Sequence, residues 1–119
     1  MIEGWDFCEP LINRALKYQD THTADDVLRH VLTAKAQLWR GKKSCAVTEI
    51  CEYPKAKKLR VWLAAGDMEE LLEMLVDIEA FAKAEKCTGV MVVGRPGWKR
   101  VLKKYKAPYT MLEKEISHE

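Results

Sequence analysis

A chain of 119 residues with net charge +2, 48% hydrophobic and 32% charged residues has the size and balance of one globular domain around one core. That charge is too small to imply a nucleic-acid ligand, which ordinarily needs a strongly basic surface, and no apolar run approaches the roughly 20 residues that span a bilayer. Glu3, Asp6 and Glu9 stand where a secretory leader would be basic, so a soluble, cytoplasmic protein without a membrane partner is expected.

Two helices are predicted first, over residues 1–37. In residues 7–18, Leu11, Ile12, Ala15 and Leu16 recur at helical spacing, with Pro10 tolerated in the first turn. Thr23 followed by Asp26 forms a capping-box-like start, and Val27, Leu28, Val31 and Leu32 carry a second helix to about Ala36.

From residue 38 to 65 the period shortens. Segments 37–40, 44–53 and 58–64 are separated by Gly41-Lys42-Lys43 and Pro54-Lys55-Ala56-Lys57, which predicts an antiparallel meander. In the third segment Leu59, Val61 and Leu63 alternate with Arg60, Trp62 and Ala64, so the first three are expected on one core-facing side.

Residues 66–119 complete the domain. Asp67 can cap a helix from Met68 to about Lys86, with Leu71, Leu72, Leu75, Ile78 and Ala82 as its apolar stripe. The continuous apolar run at 88–93 reads as a strand covered on both faces, parallel to the preceding strand by a right-handed crossover. A turn at 94–97 places Pro96 at the first position of a short basic helix over 98–105. Alternation over 109–116 predicts a last strand with Leu112 and Ile116 inward. The fold class is thus α/β (α+β): a mixed sheet in which an antiparallel meander leads into β-α-β-α-β, preceded by two helices.

Cys8, Cys45, Cys51 and Cys87 form no C-x-x-C pair, and no histidine stands at ligand spacing from any of them, so no metal site is expected and all four thiols are read as free. His22, His30 and His118 are scattered and receive no role. Lys99, Arg100, Lys103, Lys104 and Lys106 are dense beside Trp98, and Lys42, Lys43, Lys55, Lys57 and Lys58 crowd the meander turns. Both clusters read as solvated faces, and Trp5, Trp39, Trp62 and Trp98 as core plugs.

The element order from residue 38 onward resembles the GNAT family of N-acyltransferases, over about two thirds of the chain. The segment 88–105, an apolar strand, a turn at Gly94-Arg95, then Trp98, Val101 and Leu102, is closer still to small GNAT-like proteins of tailed bacteriophages, including internal virion proteins. The resemblance implies a site for acetyl-CoA or another acyl-CoA where two parallel strands splay, with the diphosphate on bare amides opening the crossover helix. On this chain those positions are Ala65, Gly66 and Met68.

The family's loop, R/Q-x-x-G-x-G/A, is replaced by Ala64-Ala65-Gly66-Asp67-Met68-Glu69-Glu70, with one glycine and no basic residue. Asp67 and Glu70 are spaced to satisfy the helix's own first amides, and Glu69 adds charge that repels phosphate. The family's acid, a tyrosine, aligns with Leu102, leaving Tyr105 as substitute. Glu49 or Glu52 on the second strand is the candidate base for an amine substrate. The expectation is a GNAT-like domain with degenerate acyl-CoA motifs, a non-catalytic or weakly catalytic binding or assembly component of phage or prophage origin. It would be cytoplasmic or virion-associated, with a protein partner or a second copy of itself. The alternative is an active acyl-CoA-dependent N-acyltransferase.

Overall fold

The computed structural model describes residues 2–94 and 97–118; the turn residue Arg95 and the predicted helix-opening Pro96 lie outside them. The elements in chain order are α1 (Trp5–Leu16), α2 (Ala24–Leu32), β1 (Gln37–Arg40), β2 (Cys45–Glu52), β3 (Lys57–Ala65), α3 (Met68–Ala84), β4 (Gly89–Val92) and α4 (Trp98–Val101).

α1 presents Trp5, Cys8, Ile12 and Leu16 as one buried stripe. It opens at Trp5, earlier than the apolar pattern suggested, so Pro10 lies in its second turn and removes an intrahelical donor there. α2 begins with the expected capping box: Asp26 N–H donates to Thr23 Oγ1 (3.2 Å) and Thr23 N–H to Asp26 Oδ2 (2.9 Å). Hydrogen bonding from the Thr23 backbone amide, then from its hydroxyl, holds the Asp26 carboxyl below its ordinary range. The helix stops at Leu32, short of Ala36, because Ala34 turns left-handed (φ 61°) and the amides of Lys35 and Ala36 fold back onto the His30 carbonyl.

The sheet has strand order β1-β2-β3-β4, with antiparallel pairs β1–β2 and β2–β3 and a parallel pair β3–β4. Its two faces carry separate cores. α1 and α2 bury Val27, Cys45, Val47, Trp62 and Leu63 on one, and α3 buries Ala46, Leu59, Val61, Ile78 and Ala82 on the other.

The expectation that Leu59, Val61 and Leu63 share a face fails at one residue. Val47 pairs with Leu63 but Thr48 pairs with Val61, so Trp62 is an extra residue on β3. Such a bulge flips the side-chain alternation beyond it: Leu59 and Val61 face α3, whereas Leu63 joins Trp62 in the core beneath α1 and α2.

Three further expectations are corrected. α4 ends at Val101, ahead of Tyr105. β4 is the sheet's edge among the described residues, half-buried at all four positions, with only Val90 and Val92 packed on the α3 side. Residues 105–118 carry no helix or strand; Leu112 is 90% and Ile116 63% exposed. Alternation alone does not make a strand: this segment leaves its tie to α3 at Tyr105 and reaches the opposite side of the sheet at Met111 and Glu113, without pairing along β4.

Candidate functional site

The bulge shapes a cleft. The parallel ladder of β3 and β4 ends at Val61 and Val92, closed by Val93 N–H donating to the Val61 carbonyl (3.2 Å). β3 then continues through Ala65 paired with β2 alone. Where the two strands part, a cleft of about 920 Å³ opens, with Arg60 and residues Trp62 to Gly66 as one wall, Val93, Gly94 and Trp98 as another, and the end of α1 with its connection to α2 as the third. Met111 and Glu113 lie across its rim.

The third wall is fastened to the bulge by one residue. Gln19 Nε2 donates to the Trp62 carbonyl (2.9 Å), and Trp62 Nε1 donates back to Gln19 Oε1 (3.0 Å). The indole is buried, and its one polar group, with the residue's own backbone carbonyl, is satisfied by a side chain 43 positions away. His22, hydrogen-bonded through Nδ1 to the Thr21 hydroxyl (2.7 Å), meets the Trp62 ring edge-on at 4.8 Å, and His30 approaches both rings. The fold thus brings two of the three unassigned histidines onto one tryptophan. Neither the histidine spacing nor Gln19 carried a local signal of this, because the contacts are made between elements.

Of the residues singled out for a cofactor, Ala65 and Gly66 line the cleft, while Met68 is partly exposed in the first turn of α3. The loop is packed from behind by the β1–β2 turn. Gly66 has φ +126°, and a Cβ there would stand 2.5 Å from the Lys43 carbonyl oxygen and the Ser44 Cα, so this glycine is demanded by backbone approach.

Ser44 Oγ accepts from Asp67 N–H (2.9 Å), and Asp67 Oδ2 accepts from Glu70 N–H (2.9 Å). Glu70 was expected to reach back to the helix's own amides. Instead its carboxylate spans to the β1–β2 turn, accepting from the amides of Lys42 (2.8 Å) and Lys43 (2.9 Å), because Gly41, with no side chain, lets it lie against the turn. Hydrogen bonding from the Ser44 hydroxyl, then from the Lys43 amide, holds the Glu70 carboxyl below its ordinary range.

An acyl-CoA diphosphate would need this loop's amides and a surrounding free of negative charge. The amides of Asp67 and Glu70 are already engaged, the space beside Gly66 is filled by Lys43 and Ser44, and Asp67, Glu69 and Glu70 cluster at the helix start. The residues present do not fit that group.

The candidate acid and base lie elsewhere. Tyr105 donates its hydroxyl to Glu79 on α3 (2.5 Å), and burial followed by this bond pushes the phenol well above its ordinary pKa. It does not line the cleft. Glu49 is ion-paired to Arg60, its register partner across the β2–β3 ladder, and Arg60, not Glu49, reaches the cleft wall. Glu52 is exposed at the end of β2. All four cysteines are free thiols. Among the described residues no three side chains form a metal-binding group, and no helix is long and apolar enough to cross a membrane.

No protein-family model matches the sequence, and no curated protein matches it either. Solved structures do. A possible acetyltransferase from Clostridium difficile 630 superposes with a TM-score of 0.68 at 13% identity, over 98% of this chain and 93% of that one. A ribosomal-protein-alanine N-acetyltransferase from Brucella melitensis biovar Abortus 2308 superposes with a TM-score of 0.63 at 14% identity, over 95% and 94%. At such identities the likeness is one of fold: the chain has the GNAT acetyltransferase-like fold, as its element order led one to expect.

Proposed function

We propose that this chain uses the GNAT fold as a binding or assembly domain with little or no acyl transfer, as a component encoded by a tailed phage or prophage. The observation that carries the reading is the bonded set Ser44–Asp67–Glu70–Lys42/Lys43, which turns the would-be phosphate loop into a packed joint between the β1–β2 turn and α3. Tyr105 tied to Glu79 supports it, since that hydroxyl is directed at α3. The phage assignment rests on the resemblance of the 88–105 segment to small phage GNAT-like proteins.

A second reading, an acyl-CoA-dependent N-acyltransferase acting on an amine, draws on one specific observation: the bulge at Trp62 and the parting of β3 from β4 leave a cleft of about 920 Å³. Thermal denaturation with acetyl-CoA and with CoA separates the two. A ligand at 100 times its dissociation constant adds about 2.7 kcal/mol of stability. The binding-domain reading expects no shift in melting temperature up to millimolar ligand. Saturable stabilisation at micromolar acetyl-CoA would overturn it in favour of the enzyme.

A further inference from the structure

The lysines that the sequence scatters are gathered by the fold at one end of the sheet. Parallel pairing puts the starts of β3 and β4 together: Lys58 is in register with Gly89, and Thr88 donates both its N–H (2.7 Å) and its hydroxyl (3.1 Å) to the Lys57 carbonyl. The β2–β3 turn with Lys55, and Lys57 and Lys58 at the start of β3, therefore sit beside the α3–β4 connection, carrying Lys86, and beside Lys83 in the last turn of α3. Glu52, in register with Lys57, and Glu85, between Lys83 and Lys86, are acids at this end. Among the described residues none of these lysines is ion-paired, the one ion pair being Arg60–Glu49.

The opposite end has the reverse balance, with Lys42 and Lys43 against Asp67, Glu69, Glu70 and Glu73. Discouraging edge pairing, the usual reason for lysine in sheets, does not account for Lys57 and Lys58, because β3 is an inner strand paired on both sides. Exposed aromatic rings accompany the charge. Tyr53 follows β2 directly and is 50% exposed, and Tyr109 is 76% exposed. The two are close enough to interact: after Cys51 and burial, Tyr109 contributes to raising the Tyr53 phenol's pKa.

We propose that this end of the molecule, formed by the β2–β3 turn and the α3–β4 connection, binds single-stranded nucleic acid. The lysines meet phosphates as point charges and the tyrosine rings stack on bases. None of these lysines lines the cleft, while Tyr109 stands two residues before Met111 on its rim.

Fluorescence anisotropy of a labelled oligo-dT of about 20 nucleotides, titrated with the full chain, tests this. Saturable binding at low salt is expected, weakening by about fourfold for each doubling of salt if three phosphates are contacted. Lys55→Glu with Lys83→Glu, both exposed positions, should weaken binding at least tenfold and flatten the salt slope. Tyr53→Ala should weaken it about fivefold or more with the slope unchanged. Lys42→Glu with Lys43→Glu, at the other end, should leave it intact, with circular dichroism confirming that each variant is folded. Three results would each overturn the proposal: no binding at low salt, equal weakening by the Lys42/Lys43 variant, or a silent Tyr53→Ala with duplex bound as well as single strand.

Discussion

The two ends of β3 are built from one strand and behave as different materials. At its start, β3 is hydrogen-bonded on both sides, its side chains alternate regularly, and the surface it ends in is open and basic. Past Trp62 the same strand has lost β4, its alternation is inverted, and its end is locked by a glycine and a serine into the turn of a neighbouring hairpin. A single inserted residue separates the regimes: a regular ladder yields a flat end whose chemistry is that of its side chains, and a bulge yields a cavity whose chemistry depends on what closes it.

The contrast breaks most severely at the bulge. Trp62→Ala removes a buried indole and the bond from its Nε1 to Gln19, while the backbone carbonyl that accepts from Gln19 stays, with an expected loss of about 3–5 kcal/mol. That is a fall in Tm of about 10 °C or more. Amide hydrogen exchange should then show Leu63 to Ala65 losing protection while Lys58 to Val61 keep theirs; uniform loss would mean that the two ends are not separable.

Gly66→Ala comes next. It forces a Cβ at φ +126° into the Lys43 carbonyl and should cost about 3 kcal/mol, read by denaturant unfolding. A smaller effect is expected of Ser44→Ala, which leaves the Asp67 amide without its acceptor, about 1–3 kcal/mol. If this serine is also what closes the loop to phosphate, the variant should be more stabilised by CoA than the parent, and equal response would assign Ser44 a packing role only.

The subtlest test is of pH. Glu70 has a lowered pKa when folded, so its contribution to stability is present above the unfolded value near 4.5 and is lost as pH falls through the lower folded value. Melting curves from pH 6 to pH 3 should therefore decline less steeply for Glu70→Gln than for the parent, and parallel curves would remove Glu70 from the joint.

Much of the fold was legible along the chain. The Thr23–Asp26 cap, the α3 stripe and the parallel crossover followed from local spacing, because caps, turns and amphipathic periods are set by residues a few positions apart. The terminal segment misled because alternation states only which side chains could share a face. A strand also requires an edge running beside it, and Tyr105 bound to Glu79 directs the chain elsewhere.

The candidate site was legible only in its poverty. The acid-rich loop at Asp67, Glu69 and Glu70 was visible as a composition hostile to phosphate, but the partner that completes its closure, the β1–β2 turn, lies 23 to 28 positions away. Gln19, His22 and His30 around Trp62 could not be foreseen, since nothing near any of them marks the others.

The sequence by itself determined the order of elements as far as α4, the caps of α2 and α3, the crossover and the absence of a basic phosphate loop, all consequences of short-range periodicity and charge. Only the tertiary structure decided where β3 bulges, which carboxylate meets which amide, and that lysines from the two turns and the end of α3 share one end of the molecule. Those outcomes depend on pairing register and packing between distant segments, and register is a property of two strands together.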